Sequence, residues 1–195
     1  AYTAFLQALE QSLPISIRLN PGKKSTISGL IDPLLLSQVP WNQHGFYLRE
    51  RPVFTLDPSF HAGAYYVQEA SSMFLEYALR QIADFSKPLK VLDLCAAPGG
   101  KSTRLASMMD GKGLLVANET IRSRTNSLRD NLEKWGYPNI AVTSVESEDY
   151  AALESYFDVV VVDAPCSGEG LFRKDPDAVR EWSLEQVTLC SARQK

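Results

Sequence analysis

The sequence has few cysteines and histidines and no long hydrophobic run. Its 195 residues include three cysteines and two histidines, which supports neither a disulfide framework nor a metal site with regularly spaced ligands. No apolar run approaches the roughly eighteen residues of a membrane span, and no basic-then-apolar segment opens the chain. We therefore expect no bound metal, no membrane association and a cytoplasmic location.

The charge balance is close to neutral. Lys and Arg number 20 against 23 Asp and Glu, a formal net charge of −3. This balance gives no overall indication of nucleic-acid binding, which would depend on a local basic patch. With 45% hydrophobic and 22% charged residues, the composition is that of an ordinary globular protein of one domain or one and a half.

A strand followed by a glycine-rich turn stands in the middle of the chain. Residues 91–103 read VLDLCAAPGGKST: the spacing predicts a buried strand at 91–94, a turn at 95–100 and a helix from Lys101. Pro98 lacks an N–H, whereas the glycines let the backbone approach a ligand. A helix N-terminus at such a turn suits a carboxylate or phosphate. We expect a ligand here.

Two kinds of nucleotide site are compatible with this turn. A P-loop would use Gly100, Lys101 and Ser102, but Cys95 replaces the first glycine of that motif and Pro98 cannot donate an N–H to a phosphate. A nucleoside cofactor with a small charged end is the other candidate, and it requires an acidic residue after the next strand for the ribose hydroxyls. Both interpretations stay open on these residues alone.

An acidic residue does follow the next predicted strand. That strand reads GLLVAN at 113–118, and Glu119 ends it. The acid comes about twenty residues after the glycines, a spacing typical of ribose binding in a βαβ unit. An exposed glutamate that merely begins the next helix is the alternative interpretation.

Strands and helices alternate through most of the chain. Strands are predicted at 91–94, 113–118, 140–143 and 157–162, with helices between them and an amphipathic helix at 65–85. This alternation predicts an α/β fold with a doubly wound, mostly parallel sheet. The face assigned to the helix at 65–85 contains Met73, Phe74, Tyr77, Ala78 and Ile82. We expect a small N-terminal α/β module at residues 1–50 and a catalytic domain at 51–195.

A small polar and basic group lies at the end of a predicted strand at 15–19. It consists of Arg18, Asn20, Lys23 and Lys24. The group would face phosphates if the strand end lies on an RNA-binding surface, and a solvated strand end is the alternative.

A second strand ends in residues that suit covalent chemistry. Residues 157–170 read FDVVVVDAPCSGEG, which predicts a buried strand that brings Asp163 and Cys166 to the sheet edge where α/β folds bind ligands. A Cys166 thiolate would be stabilised by N–H donors and by Arg173 and Lys174. An unreactive loop cysteine is one alternative. A nucleotide hydrolase is another, although Pro-Cys replaces its usual second acid.

Methylation at C5 of cytosine requires a thiol. C5 is too weak a nucleophile to attack a methylsulfonium directly, and addition of a thiolate at C6 activates it. A cysteine and an acid near N3 of the base are therefore needed. Methylation of an exocyclic amine would instead favour an aromatic residue after the proline, where this chain has Cys166.

Four motifs resemble one family. They are SIRLNP at 16–21, YYVQEASS at 65–72, LDLCAAPGGKST at 92–103 and DAPCSGEGLFRKDP at 163–176. Together they resemble the Sun/Nop family of RNA cytosine-5 methyltransferases, and Gly-Glu-Gly after Ser167 is most similar to the branch that modifies small-subunit ribosomal RNA. The resemblance spans nearly the whole chain. It implies a Rossmann-like methyltransferase domain, incomplete at its C-terminus, behind a small RNA-binding module.

The resemblance also implies a cofactor, a partner and residue roles. The cofactor is S-adenosyl-L-methionine, and the partner is RNA, most simply ribosomal RNA. The implied cofactor-binding residues are Cys95, Ala96, Ala97, Pro98, Gly99, Gly100, Lys101, Glu119 on the ribose, Arg124, Glu146 near the adenine and Asp163. The implied catalytic residues are Cys166, Asp163 and Lys101. The implied RNA-binding residues are Arg18, Asn20, Arg173 and Lys174.

One feature departs from the family pattern. In the family, the cysteine that matches Cys166 assists release of the methylated product, whereas the nucleophile lies in a Thr-Cys motif on the next strand. No Thr-Cys pair occurs in this sequence, and Cys190 lies in a predicted helix. We therefore expect these residues to be part of a longer enzyme, without its nucleophile. A non-catalytic cofactor- or RNA-binding module is the alternative.

Overall fold

The computed structural model describes residues 2–11, 13–26, 30–173, 175 and 177–194, except for the side chains of 6, 8–10 and 24–26. The chain divides into two compact units. The larger unit is Ile15–Asp163, and the smaller one combines Ala1–Pro14 with Ala164–Lys195.

The larger unit contains two four-stranded sheets. The strands of the first are β1 (Ile15–Leu19), β2 (Leu35–Gln38), β3 (Gly45–Leu48) and β4 (Tyr65–Val67). They pair in the antiparallel order β2-β3-β1-β4. The strands of the second are β5 (Lys90–Asp93), β6 (Leu114–Asn118), β7 (Ile140–Thr143) and β8 (Val159–Val161). They pair in the parallel order β7-β6-β5-β8, which confirms the predicted α/β class with an additional N-terminal module.

Seven α-helices lie within the described ranges. They are α1 (Tyr2–Glu10), α2 (Pro58–His61), α3 (Phe74–Leu79), α4 (Gly100–Met109), α5 (Arg122–Trp135), α6 (Ala178–Glu181) and α7 (Leu184–Arg193). Short 3₁₀ helices occupy Pro21–Thr26, Asp32–Leu34, Phe54–Leu56, Ala70–Met73, Ser147–Ala152 and Glu169–Leu171. Of the helices described, none is long and apolar enough to cross a membrane.

The parallel strands gather the candidate site at one edge. Asp93 at the end of β5 pairs with Ala117 of β6 on one side and Val161 of β8 on the other. Asn118 at the end of β6 pairs with Thr143 of β7. Because all four strands run the same way, the segments that follow them emerge at the same edge of the sheet.

The predicted inward faces of two helices are confirmed. Each carries three apolar side chains at helical spacing, and all six are buried: Leu105, Met108 and Met109 of α4, and Leu128, Leu132 and Trp135 of α5. Gly136 ends α5 with φ +89°, a conformation that glycine adopts without strain. The parallel sheet is thereby packed against both helices around a shared apolar core.

The prediction of an amphipathic helix at 65–85 is wrong over most of that range. Residues Tyr65–Val67 form β4, which pairs with β1, because aromatic and β-branched side chains favour a strand that has a partner. A 3₁₀ helix follows, and only Phe74–Leu79 are α-helical. The antiparallel sheet therefore extends past the module boundary expected at residue 50.

The buried face of α3 also differs from the prediction. Phe74, Tyr77 and Ile82 are exposed, whereas the carboxylate of Glu76 is buried. Glu76 forms an ion pair with Arg104 of α4 and accepts a hydrogen bond of 2.9 Å from the Asn42 amide. The inward face of α3 thus carries a buried ion pair, and the aromatic side chains that hydrophobic periodicity placed inward are exposed instead.

Strand β8 is shorter and less buried than the run of valines predicts. Val159 and Val161 are buried, but Val160 and Val162 are exposed. The alternation of burial means that, among the described residues, only one face of β8 is covered.

The smaller unit contains α1, α6 and α7. Ser183 caps α7 by accepting a hydrogen bond from the N–H of Gln186. The amide of Gln194 at the end of α7 donates to the carbonyl of Pro165 at 2.7 Å. These bonds fasten the segment that carries the Pro-Cys motif to the last helix of the same unit.

Candidate functional site

The glycine-rich turn between β5 and α4 is closed by its own backbone and by β6. The N–H of Ala96 donates to the carbonyl of Asn118 at 2.8 Å, and the N–H of Gly99 donates to that of Ala96 at 2.8 Å. Gly99 has φ +109°, which explains why a glycine stands there. The turn is therefore a fixed structure rather than a loose loop.

Two side chains of α5 hold the same turn from its outer side. The guanidinium of Arg124 donates to the carbonyl of Ala97 at 2.9 Å. The amide of Asn131 donates to the carbonyl of Pro98 at 2.8 Å. Arg124, expected from the resemblance to lie in the cofactor site, thus contacts the turn directly.

The turn does not have the chemistry of a P-loop. The N–H groups of Ala96 and Gly99 already donate to backbone carbonyls, and Pro98 has no N–H to offer a phosphate. Ser102, which would bind Mg²⁺ in a P-loop, is fully buried and donates to Asp93 at 2.6 Å. These contacts argue against the nucleotide-hydrolase interpretation.

Asp93 is a buried carboxylate, and one of its two oxygens accepts no hydrogen bond from the described residues. Its Oδ2 accepts the bond from Ser102, while Oδ1 has no partner among the described residues. The pKa of Asp93 is raised from 3.8 to about 6, mainly by burial; the hydrogen bond from Ser102 and the charge of Lys101 oppose this rise, and the neighbouring Asp163 and Glu119 add to it. An acceptor in this condition favours a ligand that donates hydrogen bonds or carries positive charge.

Glu119 follows β6 and is also nearly buried. Its Oε1 accepts the N–H of Ile121 at 3.0 Å, and its Oε2 lies 3.4 Å from a guanidinium nitrogen of Arg124. These two contacts fix the carboxylate beside the glycine turn, because Arg124 binds both. The position is the one expected for a ribose-binding acid.

Lys101 and Asp163 form an ion pair across the ends of α4 and β8. Lys101 is partly buried, and the Asp163 carboxylate is more than half exposed. Two of the three residues expected to take part in catalysis are therefore in direct contact, with Asp163 open to a ligand.

Negative charge is concentrated around the turn. Burial raises the pKa of the half-buried Cys95 thiol, and the carboxylates of Glu119, Asp93 and Asp163 raise it further, opposed by Arg124. Within the described ranges no group of three or more His, Cys, Asp and Glu side chains has the arrangement of a metal site. The edge is thus an acidic site suited to an organic ligand with cationic groups.

Asn118 is a site residue that the sequence analysis did not single out. It is fully buried at the end of β6, and its amide donates to the carbonyls of Val145 at 3.0 Å and Leu94 at 3.3 Å. Its carbonyl oxygen accepts the N–H of Val145. Asn118 thereby fastens the segment before Glu146, which is exposed at the start of a 3₁₀ helix. The only signal in the sequence is a polar residue that ends an apolar strand.

The expectation that Arg18 contacts RNA does not fit its position. The side chain is 0% exposed, and it donates to Gln68 at 2.8 Å and to the Thr103 hydroxyl at 2.7 Å. It also donates to the carbonyl of Gly100 and lies over the ring of Trp135. Burial lowers the pKa of Arg18 to about 9. The residue fixes the first turn of α4, out of reach of a phosphate.

Asn20 is likewise enclosed. Its amide donates to the carbonyls of Gly63 and Trp135, both at 2.9 Å. Lys23, from the same basic group, donates to the carbonyl of Ala62. The SIRLNP motif therefore connects the antiparallel sheet to α4 and α5 instead of presenting charges to solvent. The elements that bury it are distant in sequence, so local pattern does not reveal the burial.

The remaining candidates belong to the smaller unit. Cys166 is exposed, whereas Cys190 is buried in α7. Arg173 is exposed and donates to the carbonyl of Gln11 at 2.9 Å. Lys174 lies outside the described residues.

Comparisons with known proteins agree with this architecture. The chain is 38% identical over 204 positions to ribosomal RNA small subunit methyltransferase F of Enterobacter sp. (strain 638), covering 100% of this chain and 42% of the relative. A methyltransferase homolog protein from Pyrococcus horikoshii superposes with a TM-score of 0.70 at 34% identity, covering 90% of this chain and 58% of the other. NSun6 from Pyrococcus horikoshii, solved with SFG, has the same fold with a TM-score of 0.77 at 17% identity over 98% and 73% of the two chains.

Two family models divide the chain between them. The N-terminal domain of 16S rRNA methyltransferase RsmF matches residues 1–70. The model described as 16S rRNA methyltransferase RsmB/F matches residues 82–195, more than half of the chain and the whole of the acidic edge. The resemblance seen in the four motifs is thereby confirmed, and the chain belongs to the RsmB/F family of 16S rRNA methyltransferases.

Proposed function

We propose that the protein methylates C5 of a cytidine in 16S ribosomal RNA with S-adenosyl-L-methionine, and that these 195 residues provide the cofactor-binding part of the enzyme. The observation that carries the proposal is the acidic edge of the parallel sheet, where Asp93, Glu119 and Asp163 surround the glycine turn. Family membership supports the reaction. The chain spans 42% of the length of its Enterobacter relative, so the activity is proposed for the longer protein.

The charge of the site fits this cofactor. S-adenosyl-L-methionine carries an ammonium and a sulfonium, and its ribose donates two hydroxyl hydrogen bonds. The unpartnered Oδ1 of Asp93 and the fixed carboxylate of Glu119 offer acceptors to such groups. A nucleoside triphosphate would instead bring several negative charges to three carboxylates, a repulsive arrangement.

Residue roles at the cofactor follow from the site. We assign the backbone of 95–101 to the methionine end, Glu119 to the ribose and Glu146 to the adenine, with Arg124 holding Glu119 and the turn together. Because the carboxylate of Glu119 is already fixed, little side-chain entropy is lost when a hydroxyl binds it.

The proposed chemistry assigns Asp163 and Cys166 to the target base. The bound cofactor supplies an electrophilic methyl group. Lys101 positions the carboxyl group of Asp163 at the end of β8. From there Asp163 would hold a proton at N3 of the cytosine. The Cys166 thiolate would assist release of the methylated base by taking the C5 proton as the thiolate of the family's nucleophile leaves C6, the release role that the resemblance implies. Arg173 and Lys174 would contact the RNA backbone, and a ribosomal RNA substrate puts the reaction in the cytoplasm.

The test is methyl transfer by the gene product that contains these residues. We expect label from S-adenosyl-L-methionine to appear as 5-methylcytosine in 16S rRNA, and Asp163→Asn to abolish it. If Cys166 assists release, Cys166→Ser will accumulate a covalent protein–RNA complex on a denaturing gel, whereas Cys190→Ser behaves as wild type. Magnesium-dependent ATP hydrolysis without methyl transfer would contradict the proposal.

A further inference from the structure

A second concave site lies between the antiparallel sheet and α5. It is a cavity of about 320 Å³ in the larger unit, at the small end of the range for ligand pockets, about 300 to 1,000 Å³. Its walls include the rings of Phe54, Phe60, Tyr65, Tyr66 and Trp135. Ring centroids of Phe54, Phe60 and Tyr65 lie 6.0–6.5 Å apart. Phe54, Tyr65 and Trp135 are buried, whereas Phe60 and Tyr66 are partly exposed and can pack against a flat aromatic group.

Two cations complete the walls of this cavity. Arg51 lies 5.5 Å from the ring centroid of Phe54, and Lys134 lies 5.3 Å from that of Phe60. Neither forms an ion pair with any carboxylate that the structure describes, and no Asp or Glu is among the described lining residues. The site thus combines an aromatic interior with two cations that contact rings and have no carboxylate partner among the described residues.

Hydrogen-bonding groups are also present in the lining. Thr55 offers an exposed hydroxyl, and Asn131 contributes its amide. The Nδ2 of Asn131 donates to the carbonyl of Pro98 in the glycine turn, while its carbonyl oxygen has no partner among the described side chains and backbone. These groups can bond to the edge of a heterocycle.

We propose that this cavity binds one nucleotide, with the base against the partly exposed rings of Phe60 and Tyr66 and the phosphate at Arg51 and Lys134. Base stacking on aromatic side chains together with cationic contacts to the backbone is how proteins hold unpaired nucleotides. The site is separate from the acidic edge, whose charge suits the cofactor. The inference deepens the proposed function and rests on it for the source of the nucleotide, a residue of the RNA substrate outside the target cytidine.

The chemistry is shared by a nucleotide within RNA and by a free one. The experiment therefore measures binding of a fluorescein-labelled single-stranded RNA by anisotropy and of cytidine 5′-monophosphate by calorimetry. Weaker RNA binding by the cavity variants than by wild type, together with no measurable binding of the monophosphate, assigns the site to RNA. Monophosphate binding that shows the same dependence on the variants assigns it to free nucleotides.

Five variants separate the cavity from general surface charge. Arg51→Ala and Lys134→Ala remove one cation each, and we expect each to weaken RNA binding about tenfold, the effect of one charge-assisted hydrogen bond. Thr55→Trp fills the cavity without changing charge, and we expect it to weaken binding to a similar extent. The matched controls are Arg49→Ala and Arg129→Ala, which remove exposed cations near the same elements and should stay within twofold of wild type.

The outcomes are distinguishable from failure of the proposed function. Affinity for S-adenosylhomocysteine should be the same in all five variants and in wild type, and absence of that affinity from wild type would refute the cofactor site while leaving the cavity measurement valid. Equal weakening by the cavity and control variants, or wild-type affinity of Thr55→Trp, would overturn the inference. Urea unfolding of each variant verifies that the fold is intact.

Discussion

Removing the charge of Asp93 is expected to stabilise the fold. The side chain is fully buried, and its pKa rises from 3.8 to about 6 because burial disfavours the ionised form. The folded state therefore holds the proton to higher pH than the unfolded state does, and stability falls as pH increases from about 4 to above 6. At pH 8 the full penalty is present, about 3 kcal/mol.

Asp93→Asn removes this penalty while keeping the buried contact. The asparagine carbonyl can accept the hydrogen bond from Ser102, and its amide is neutral at every pH. The free energy of unfolding should rise by about 3 kcal/mol at pH 8, by roughly half as much at pH 5, and by less than about 1 kcal/mol at pH 4.

The assay is urea unfolding of both proteins at pH 5 and pH 8. Asp130→Asn, which neutralises an exposed aspartate of α5, is the matched control and should change stability by less than about 0.5 kcal/mol. An equal effect of Asp93→Asn at the two pH values, or destabilisation at pH 8, would refute the reasoning, because either result would mean that Asp93 is not held in a desolvated, partly unpartnered state.

Three further predictions concern a buried cation, two glycines and two cysteines. Arg18→Met should lower the free energy of unfolding by about 3 kcal/mol because the buried acceptors on Gln68 and Thr103 lose their donor. An unchanged urea midpoint would contradict this. Gly63→Ala should cost about 3 kcal/mol or more, since its Cβ would overlap the carbonyl oxygen of Lys134 in α5. Gly111→Ala, also at positive φ but in open space, should cost only about 1 kcal/mol. Iodoacetamide at pH 7.5 should label exposed Cys166 well before Cys95, whose raised pKa keeps it protonated; peptide mapping that finds equal rates would count against the acidic environment.

Much of the catalytic domain was predictable from local pattern. Buried apolar runs at 91–94, 113–118 and 140–143 end in turn signals, and parallel strands with such runs have few alternative arrangements. The sheet order brings the residues that follow Asp93, Asn118 and Val161 to one edge. The parallel topology was therefore enough to predict which segments of the chain form the site.

Long-range burial is what local pattern could not supply. Arg18 lies near the end of β1 and Asn20 directly after it, before a turn, which is typical of a solvated strand end, yet α4 and α5 enclose both side chains. The inward face of α3 is taken by Glu76 only because Arg104, distant in sequence, lies opposite. The aromatic cavity likewise combines residues 51–67 with 131–135, and no spacing rule connects these segments.

The most direct test of the acidic edge is calorimetric titration of the protein with S-adenosylhomocysteine. Wild type should bind, Glu119→Gln should bind at least about tenfold more weakly because the ribose loses a charged acceptor, and Glu133→Gln, an exposed residue of α5, should match wild type. Absence of heat with wild type, or equal affinities of wild type and Glu119→Gln, would contradict the account.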